Sequence, residues 1–147
     1  MQIKVKKLHP EAIIPEYQAG GDAACFDLHT VEAGQLGSSH WRGVFSTGLA
    51  FEIPKGYVML VFGRSGHAFN HDISLANCVG VIDPGYRGEV LVKLTMKYVA
   101  RRDFFYIKEG DRIAQAMVMP VPWVQFEVAE ELPNSQRGSG GFGSTGV

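Results

Sequence analysis

Cysteine is scarce in this chain: Cys25 and Cys78 are the only two in 147 residues, far apart and among small or apolar neighbours. This argues against a disulfide scaffold or a thiolate metal site and predicts two buried, reduced thiols. Long apolar runs are lacking, so no membrane span is expected. Residues 1–10 lack the apolar stretch of a secretory signal, and a cytoplasmic setting is expected. An excess of either charge is also missing, with 14 Lys and Arg against 15 Asp and Glu. A polyanion must therefore be held by a few placed cations, and duplex nucleic acid is not an expected partner. Hydrophobic residues make up 46% of the chain, enough for one packed domain but not for two.

Short runs of β-branched and aromatic residues recur between turn signals. They predict strands at Gln2–Lys6, Phe26–Val31, Leu49–Ile53, Tyr57–Gly63, Glu89–Met96, Asp103–Ile107, Arg112–Pro120 and Val124–Val128. Alternation is clearest in the fifth, with Val90, Val92, Leu94 and Met96 on one face and Glu89, Leu91, Lys93 and Thr95 on the other. Pro54-Lys55-Gly56 and Glu109-Gly110-Asp111 read as compact turns. Helical character is confined to one or two turns within Gly66–Ile73. The expected fold is all-β, a jelly-roll type barrel or sandwich with one short helix. Residues 1–132 form its domain, and residues 133–147 a flexible, glycine-rich C-terminal arm.

That arm carries unusual chemistry. From Gly138 to Gly146 it holds five glycines, two serines, one threonine and Phe142, with Arg137 just before. It has little to bury and loses much backbone entropy on ordering. Yet a cation, an aromatic ring and unencumbered N–H groups are what closing over an anion with a flat ring requires. Gly138, Gly140 and Gly143 also satisfy G-x-G-x-x-G, but no helix follows in the sequence, so a dinucleotide fingerprint is not expected. No Gly-Lys-Ser/Thr occurs to make a Walker loop.

Two more segments stand out. In Asp83-Pro84-Gly85-Tyr86, Pro84 presets φ and Gly85 accepts a positive φ, which predicts a type II turn at the tip of a hairpin. Asp83 and Tyr86 then lie side by side, although an aspartate at such a position can also merely bond its own turn. Gly63-Arg64-Ser65-Gly66 follows a strand and opens the short helix, offering a guanidinium fork, a hydroxyl and N–H donors. His67 and His71 share a metal-compatible spacing but lack an acidic or thiol companion, so solvated or core-edge histidines are expected.

Together these segments resemble the trimeric dUTPase family across nearly the whole chain. The matching motifs, in family order, are Ala23-Ala24-Cys25-Phe26-Asp27-Leu28, then Arg64-Ser65-Gly66, then Gly80 through Glu89 around Asp83-Pro84-Gly85-Tyr86-Arg87-Gly88. Gly110-Asp111-Arg112-Ile113-Ala114-Gln115 and the Arg137-to-Gly146 tail complete the set. The hairpin and the tail are highly specific, the Arg64 motif is not, and the order makes coincidence implausible.

The resemblance implies a jelly-roll homotrimer that hydrolyses dUTP to dUMP and pyrophosphate, keeping uracil out of DNA and supplying dUMP for thymidylate. Each site would draw motifs one, two and four from one subunit, the hairpin from a second and the tail from a third. Asp83 and Arg64 would be catalytic, Asp83 as general base for a water attacking the α-phosphorus in line. Aspartate is ionised at neutral pH without tuning, so its task would be positional. Tyr86 would stack under the deoxyribose and leave no room for a 2′-hydroxyl.

Uracil would lie among Asn77, Val81, Ile82 and Leu91. Cytosine's reversed donor and acceptor pattern would leave buried groups unpaired, at about 1–3 kcal/mol each. Arg64, Ser65, Gly66 and Gln115 would hold the phosphates, Arg137 the terminal one, while Phe142 and Gly143 cover the base. Mg²⁺ would ride on the triphosphate and meet Asp27 through a water. With about four negative charges to offset, arginine, metal and tail N–H groups would share the load.

Gly63 stands where the family usually has proline, Cys25-Phe26 is bulkier than usual, and Thr95-Met96-Lys97-Tyr98 lacks a common asparagine. Two alternatives share the nucleotide class: a dCTP deaminase of the same fold, which needs a glutamate base near the pyrimidine, and a dUTP-sensing regulatory protein.

Overall fold

Strand-forming runs with few helix signals fold here into eleven strands and one short helix, in a computed structural model describing residues 1–18, 21–37, 42–97, 104–142 and 144. The order is β1 (Lys4–Lys7), β2 (Phe26–His29), β3 (Gly34–Gly37), β4 (Arg42–Ser46), β5 (Leu49–Glu52), β6 (Tyr57–Phe62), α1 (Ser65–His71), β7 (Ile73–Leu75), β8 (Val79–Ile82), β9 (Leu91–Met96), β10 (Phe104–Ile107) and β11 (Arg112–Pro120). Every pairing is antiparallel. One sheet runs β2-β11-β6-β8, another β4-β9-β7, and the ribbons β1-β5 and β3-β10 complete the jelly-roll fold.

Alternation in β9 works as the sequence predicts: Val90, Val92 and Leu94 are buried, while Leu91 and Lys93 face outward. Their buried faces join Leu28, Leu36, Leu49, Met59, Ile73 and Ile113 in one core. Phe45 fills a slot there between β3 and β4: a Cβ at Gly34 would meet its ring at 2.7 Å and one at Gly43 at 2.8 Å. Gly56 (φ 84°) and Gly110 (φ 81°) supply the left-handed residues of the two predicted turns. Among the described residues no helix is long and apolar enough to cross a membrane.

Several expectations are corrected. Val124–Val128 is not a strand: Val124, Phe126 and Val128 alternate but pair with no strand among the described residues, and Phe126 and Val128 stand almost fully exposed. Alternation marks a capacity to pair, and pairing needs an edge to receive it. Gly85 is absent from the positive-φ glycines, so the Tyr86 N–H to Asp83 carbonyl bond (3.1 Å) closes a turn that is not type II. Cys78 is exposed rather than buried, because it occupies a left-handed corner (φ 61°) between β7 and β8; Cys25 is half-buried. β3, β4, β7 and β8 are strands beyond the predicted runs, each short or glycine-containing, with only β8 implied as an arm of the expected hairpin. Asp103 and Tyr98 lie outside the described residues.

Helix α1 buries none of its residues fully and rests on β10 through an aromatic contact. His67 and His71 approach the Phe105 ring at 5.4 and 4.6 Å between centroids, which fits the core-edge expectation. Burial pulls the His67 pKa below its ordinary value, and the Arg64 guanidinium and His71 push the same way. His29 is lowered first by burial, with Arg112 and Arg64 opposing what Asp27 returns. The Nδ1 atoms of both are buried without a hydrogen-bond partner among the described residues.

Replacing Leu94 by alanine is expected to cost about 2–5 kcal/mol in chemical denaturation, whereas Lys93→Ala on the opposite face stays within about 0.5 kcal/mol. The two histidines give stability an acid limb. Unfolded chains bind these protons at about pH 6.5, before the folded protein does, so the penalty is absent above that pH and grows as pH falls below it. A denaturation series against pH is expected to show a shallower acid-side loss for His67→Leu than for the wild-type chain.

Candidate active site

The register of three strands builds the first half of the site. On β11, Gln115 lies opposite Asp27 of β2 on one side and Phe62 of β6 on the other. Arg64 follows Phe62 by two residues, so it emerges beside the same point. Plain alternation would send Arg112 and Gln115 to opposite faces. A register shift between Arg112 and Ala114 resets the parity, and Ile113 and Ala114 are buried in succession. Arg112, Gln115 and Asp27 thereby share one face.

The charges there are tightly arranged. Asp27 Oδ1 accepts from Arg64 Nε at 3.1 Å and Oδ2 from Arg112 Nη1 at 3.2 Å. The Asp27 side chain is only 13% exposed, against 24% for Arg64 and 48% for Arg112. A charge-assisted bond contributes about 1.5–3 kcal/mol in good geometry, and less for the half-exposed Arg112. Arg64 gives Nε to Asp27 and only a long Nη1 bond, 3.4 Å, to the Arg112 carbonyl. Most of its terminal donor capacity is thus left for the adjoining cleft. Gln115 donates to the Gly63 carbonyl at 2.9 Å, securing the chain just before Arg64.

That cleft, about 490 Å³, is lined by Arg64, Ser65, Cys78, Lys97 and Gln115. Gly66 follows Ser65 in α1, with open space where a Cβ would sit. No side chain caps the helix start, so its first N–H groups remain available. Such a cleft suits a multiply charged anion. Each Asp27 oxygen already holds a guanidinium, so a metal bound directly there would compete with two cations for one carboxylate. Its surroundings fit a magnesium ion delivered on phosphate oxygens and reached through a water.

The second half is formed by the Asp83 segment, and here the expected hairpin opens. β8 pairs with β6, whereas β9 pairs with β4 and β7, so the two arms belong to different sheets. Between them lies a cavity of about 230 Å³ lined by Val81, Ile82, Asp83, Tyr86, Glu89, Val90 and Leu91. Four predicted residues and Asp83 thus meet in one place. Val81 and Leu91, 60% and 56% exposed, present apolar walls. Among the described residues β8 is an edge strand, with no ladder partner on the side away from β6. Arg87 caps the turn, its Nη1 donating to the Pro84 and Tyr86 carbonyls at 2.6 and 2.9 Å.

Asn77 sits one residue before the Cys78 corner, exposed, with its amide donating to the Val79 carbonyl at 3.3 Å. It lines neither cavity. Arg137 and Phe142 are not brought to either half within the chain. Arg137 Nε donates to the Gly140 carbonyl at 2.8 Å, and Phe142 is fully exposed with φ 51°. Gly143 lies outside the described residues. Sequence reasoning missed Arg112 because its alignment with Gln115 depends on the bulge. It also missed Glu89 as a cavity wall, although the residue sits within the expected motif.

Comparison with known proteins follows the same lines. The dUTPase family profile matches residues 10–146. Deoxyuridine 5'-triphosphate nucleotidohydrolases are similar along their length: that of Nautilia profundicola is 46% identical over 99% of both chains. The Helicobacter hepaticus protein is 48% identical over all of this chain and 90% of its own. Among solved structures, the dUTPase of Staphylococcus bacteriophage 80alpha with dUPNHPP superposes with a TM-score of 0.86 at 27% identity, covering 99% of each chain. A mutant form of the 80alpha phage dUTPase gives 0.86 at 26% identity, over 97% of this chain and 98% of that one. With register, cavities and relatives in agreement, this chain belongs to the dUTPase family.

Proposed function

We propose that the protein hydrolyses dUTP to dUMP and pyrophosphate in a site completed by neighbouring copies of itself. Asp83 and Tyr86 flank one cavity, Arg64, Ser65 and Gln115 line another, and no described residue belongs to both. This separation within one chain carries the reading, because a triphosphate nucleotide needs both halves at once. A homotrimer supplies them by juxtaposing the cavity of one subunit with the cleft of the next. Exposed Trp123, Phe126, Val128 and Leu132 give the segment after β11 apolar surface that such an assembly would cover.

Uracil lies between the β8 edge and Leu91, with Val81 and Ile82 against it and Asn77 at the entrance. Tyr86 stacks under the deoxyribose, so a 2′-hydroxyl would collide with the ring. Asp83, beside it, takes a proton from a water aligned with the α-phosphorus, opposite the leaving pyrophosphate. Arg64 spreads its terminal nitrogens over the phosphates while Asp27 holds its Nε, and Ser65, Gly66 and Gln115 add or support further donors. Magnesium bound to the phosphates would offset part of their charge, and Asp27 would orient one of its waters.

Residues 1–132 act as the jelly-roll domain. The arm, residues 133–147, closes over a neighbour's site, bringing Arg137 to the terminal phosphate and Phe142 with Gly143 over the base. Release of the Arg137 contact to Gly140 is the only change to its described bonds that this docking requires of the arginine. The setting is cytoplasmic, where dUTP removal keeps uracil out of DNA. A deaminase base is less well supported, since Glu89 Oε1 is already held by the Gly48 N–H and the Ser46 hydroxyl.

Asp83→Asn is expected to lower dUTP turnover by about 10²- to 10⁴-fold with analogue affinity nearly unchanged, measured by pyrophosphate release and calorimetry. Equal turnover would remove Asp83 from the chemistry. Deleting residues 137–147 is expected to cut turnover sharply while sedimentation still reports a trimer; full activity would eliminate closure by the arm.

A further inference from the structure

The sugar plate does not hold itself in place. Tyr86 donates its hydroxyl to the Glu89 carbonyl at 2.9 Å, folding the ring back over Gly88. A Cβ at Gly88 would meet the Tyr86 Oη at 2.5 Å and Cζ at 2.6 Å, so the fold-back requires glycine there. The position of the ring therefore follows the position of the Glu89 backbone.

That backbone is anchored by the corner joining β4 to β5. Glu89 Oε1 accepts from the Gly48 N–H at 2.7 Å and from the Ser46 hydroxyl. Ser46 Oγ also accepts from Gly48 N–H at 3.2 Å, tying donor and corner together. One residue on, the buried Thr47 hydroxyl donates to the Val90 carbonyl at 2.7 Å and the Val90 N–H donates to the Leu49 carbonyl at 2.9 Å. The β4–β5 corner thus grips Glu89 by its carboxylate and Val90 by its main chain. The Val90 N–H shares one peptide plane with the Glu89 carbonyl, so the main-chain grip holds that plane from one side and the carboxylate grip holds the residue that carries it from the other.

We infer that Ser46 and Glu89 are positioning residues for sugar selectivity, holding the Tyr86 ring where it meets the substrate's 2′ position. Neither touches the reacting atoms. Loosening the clamp lets the ring tilt away, and a ribonucleotide gains room that a deoxyribonucleotide does not need. The effect on the two nucleotides is therefore unequal, which separates positioning from general scaffolding. This inference rests on the proposed role of Tyr86 as the plate beneath the sugar.

The test compares kcat/KM for dUTP and UTP in the full-length protein and in Ser46→Ala, Glu89→Ala, Glu89→Gln and Tyr86→Ala. Ser46→Ala and Glu89→Ala are expected to lower the dUTP-to-UTP ratio by about tenfold, chiefly through UTP, while Glu89→Gln keeps an acceptor oxygen and stays near wild type. Ser46→Ala removes one hydroxyl, so it and Glu89→Gln decide the matter if Glu89→Ala does not fold. Equal loss toward both nucleotides, or an unchanged ratio, would overturn the clamp. If Tyr86→Ala leaves the ratio unchanged, the plate itself is wrong and the clamp falls with it. If Tyr86→Ala relaxes selectivity and the Ser46 and Glu89 variants do not, the clamp alone fails.

Discussion

One carboxylate organises the arginine pair beside the β2-β11-β6 face of this protein. Asp27 is shielded, and its two oxygens are divided between Arg64 and Arg112. Two guanidiniums brought together by strand register would otherwise repel each other across a surface that water only partly screens. Placing one acid between them lets both remain close, aimed and ready for a more highly charged guest. With one acid between two guanidiniums, the local net charge stays positive. Burial is the main reason that the His29 and His67 pKa values lie below the ordinary one, and the Arg64 and Arg112 guanidiniums push the same way.

The cavity beside Asp83 depends on a divergence rather than an attraction. Had β8 and β9 paired with each other, their ladder would have consumed the backbone groups and closed the space between them. Recruitment of β8 by β6 and of β9 by β4 and β7 pulls the arms apart and leaves a ligand-sized gap. Specificity in such a gap comes from walls set by two sheets, each stiffened by the shared core. The turn at Asp83 is the bridge between those sheets.

Much of this was legible in the sequence, and the gaps have physical causes. Alternation located the buried face of β9, and turn chemistry located Gly56 and Gly110, because both are local properties. Val81, Ile82, Asp83, Tyr86 and Leu91, grouped by the motif, line one cavity, but the hairpin expected around them does not form, since strand partners are a global choice. Arg112 escaped notice because a bulge inverts the parity from which faces are read. Val124–Val128 misled for the opposite reason: its pattern is that of a strand, and one chain offers it no edge. Cys78 was misplaced because hydrophobic neighbours predict burial, whereas a left-handed corner turns its side chain outward.

Phe45 illustrates how far a packing constraint reaches beyond the residue that imposes it. Its ring occupies the space above Gly34 on one strand and Gly43 on another, leaving neither room for a methyl group. Those three positions can therefore change over evolutionary time only as a set. A smaller side chain at 45 would release both glycines, while an alanine at either glycine would first demand that the ring give way. Relatives with a bulkier 34 or 43 should carry a lesser residue at 45, a covariation dictated by volume rather than by chemistry.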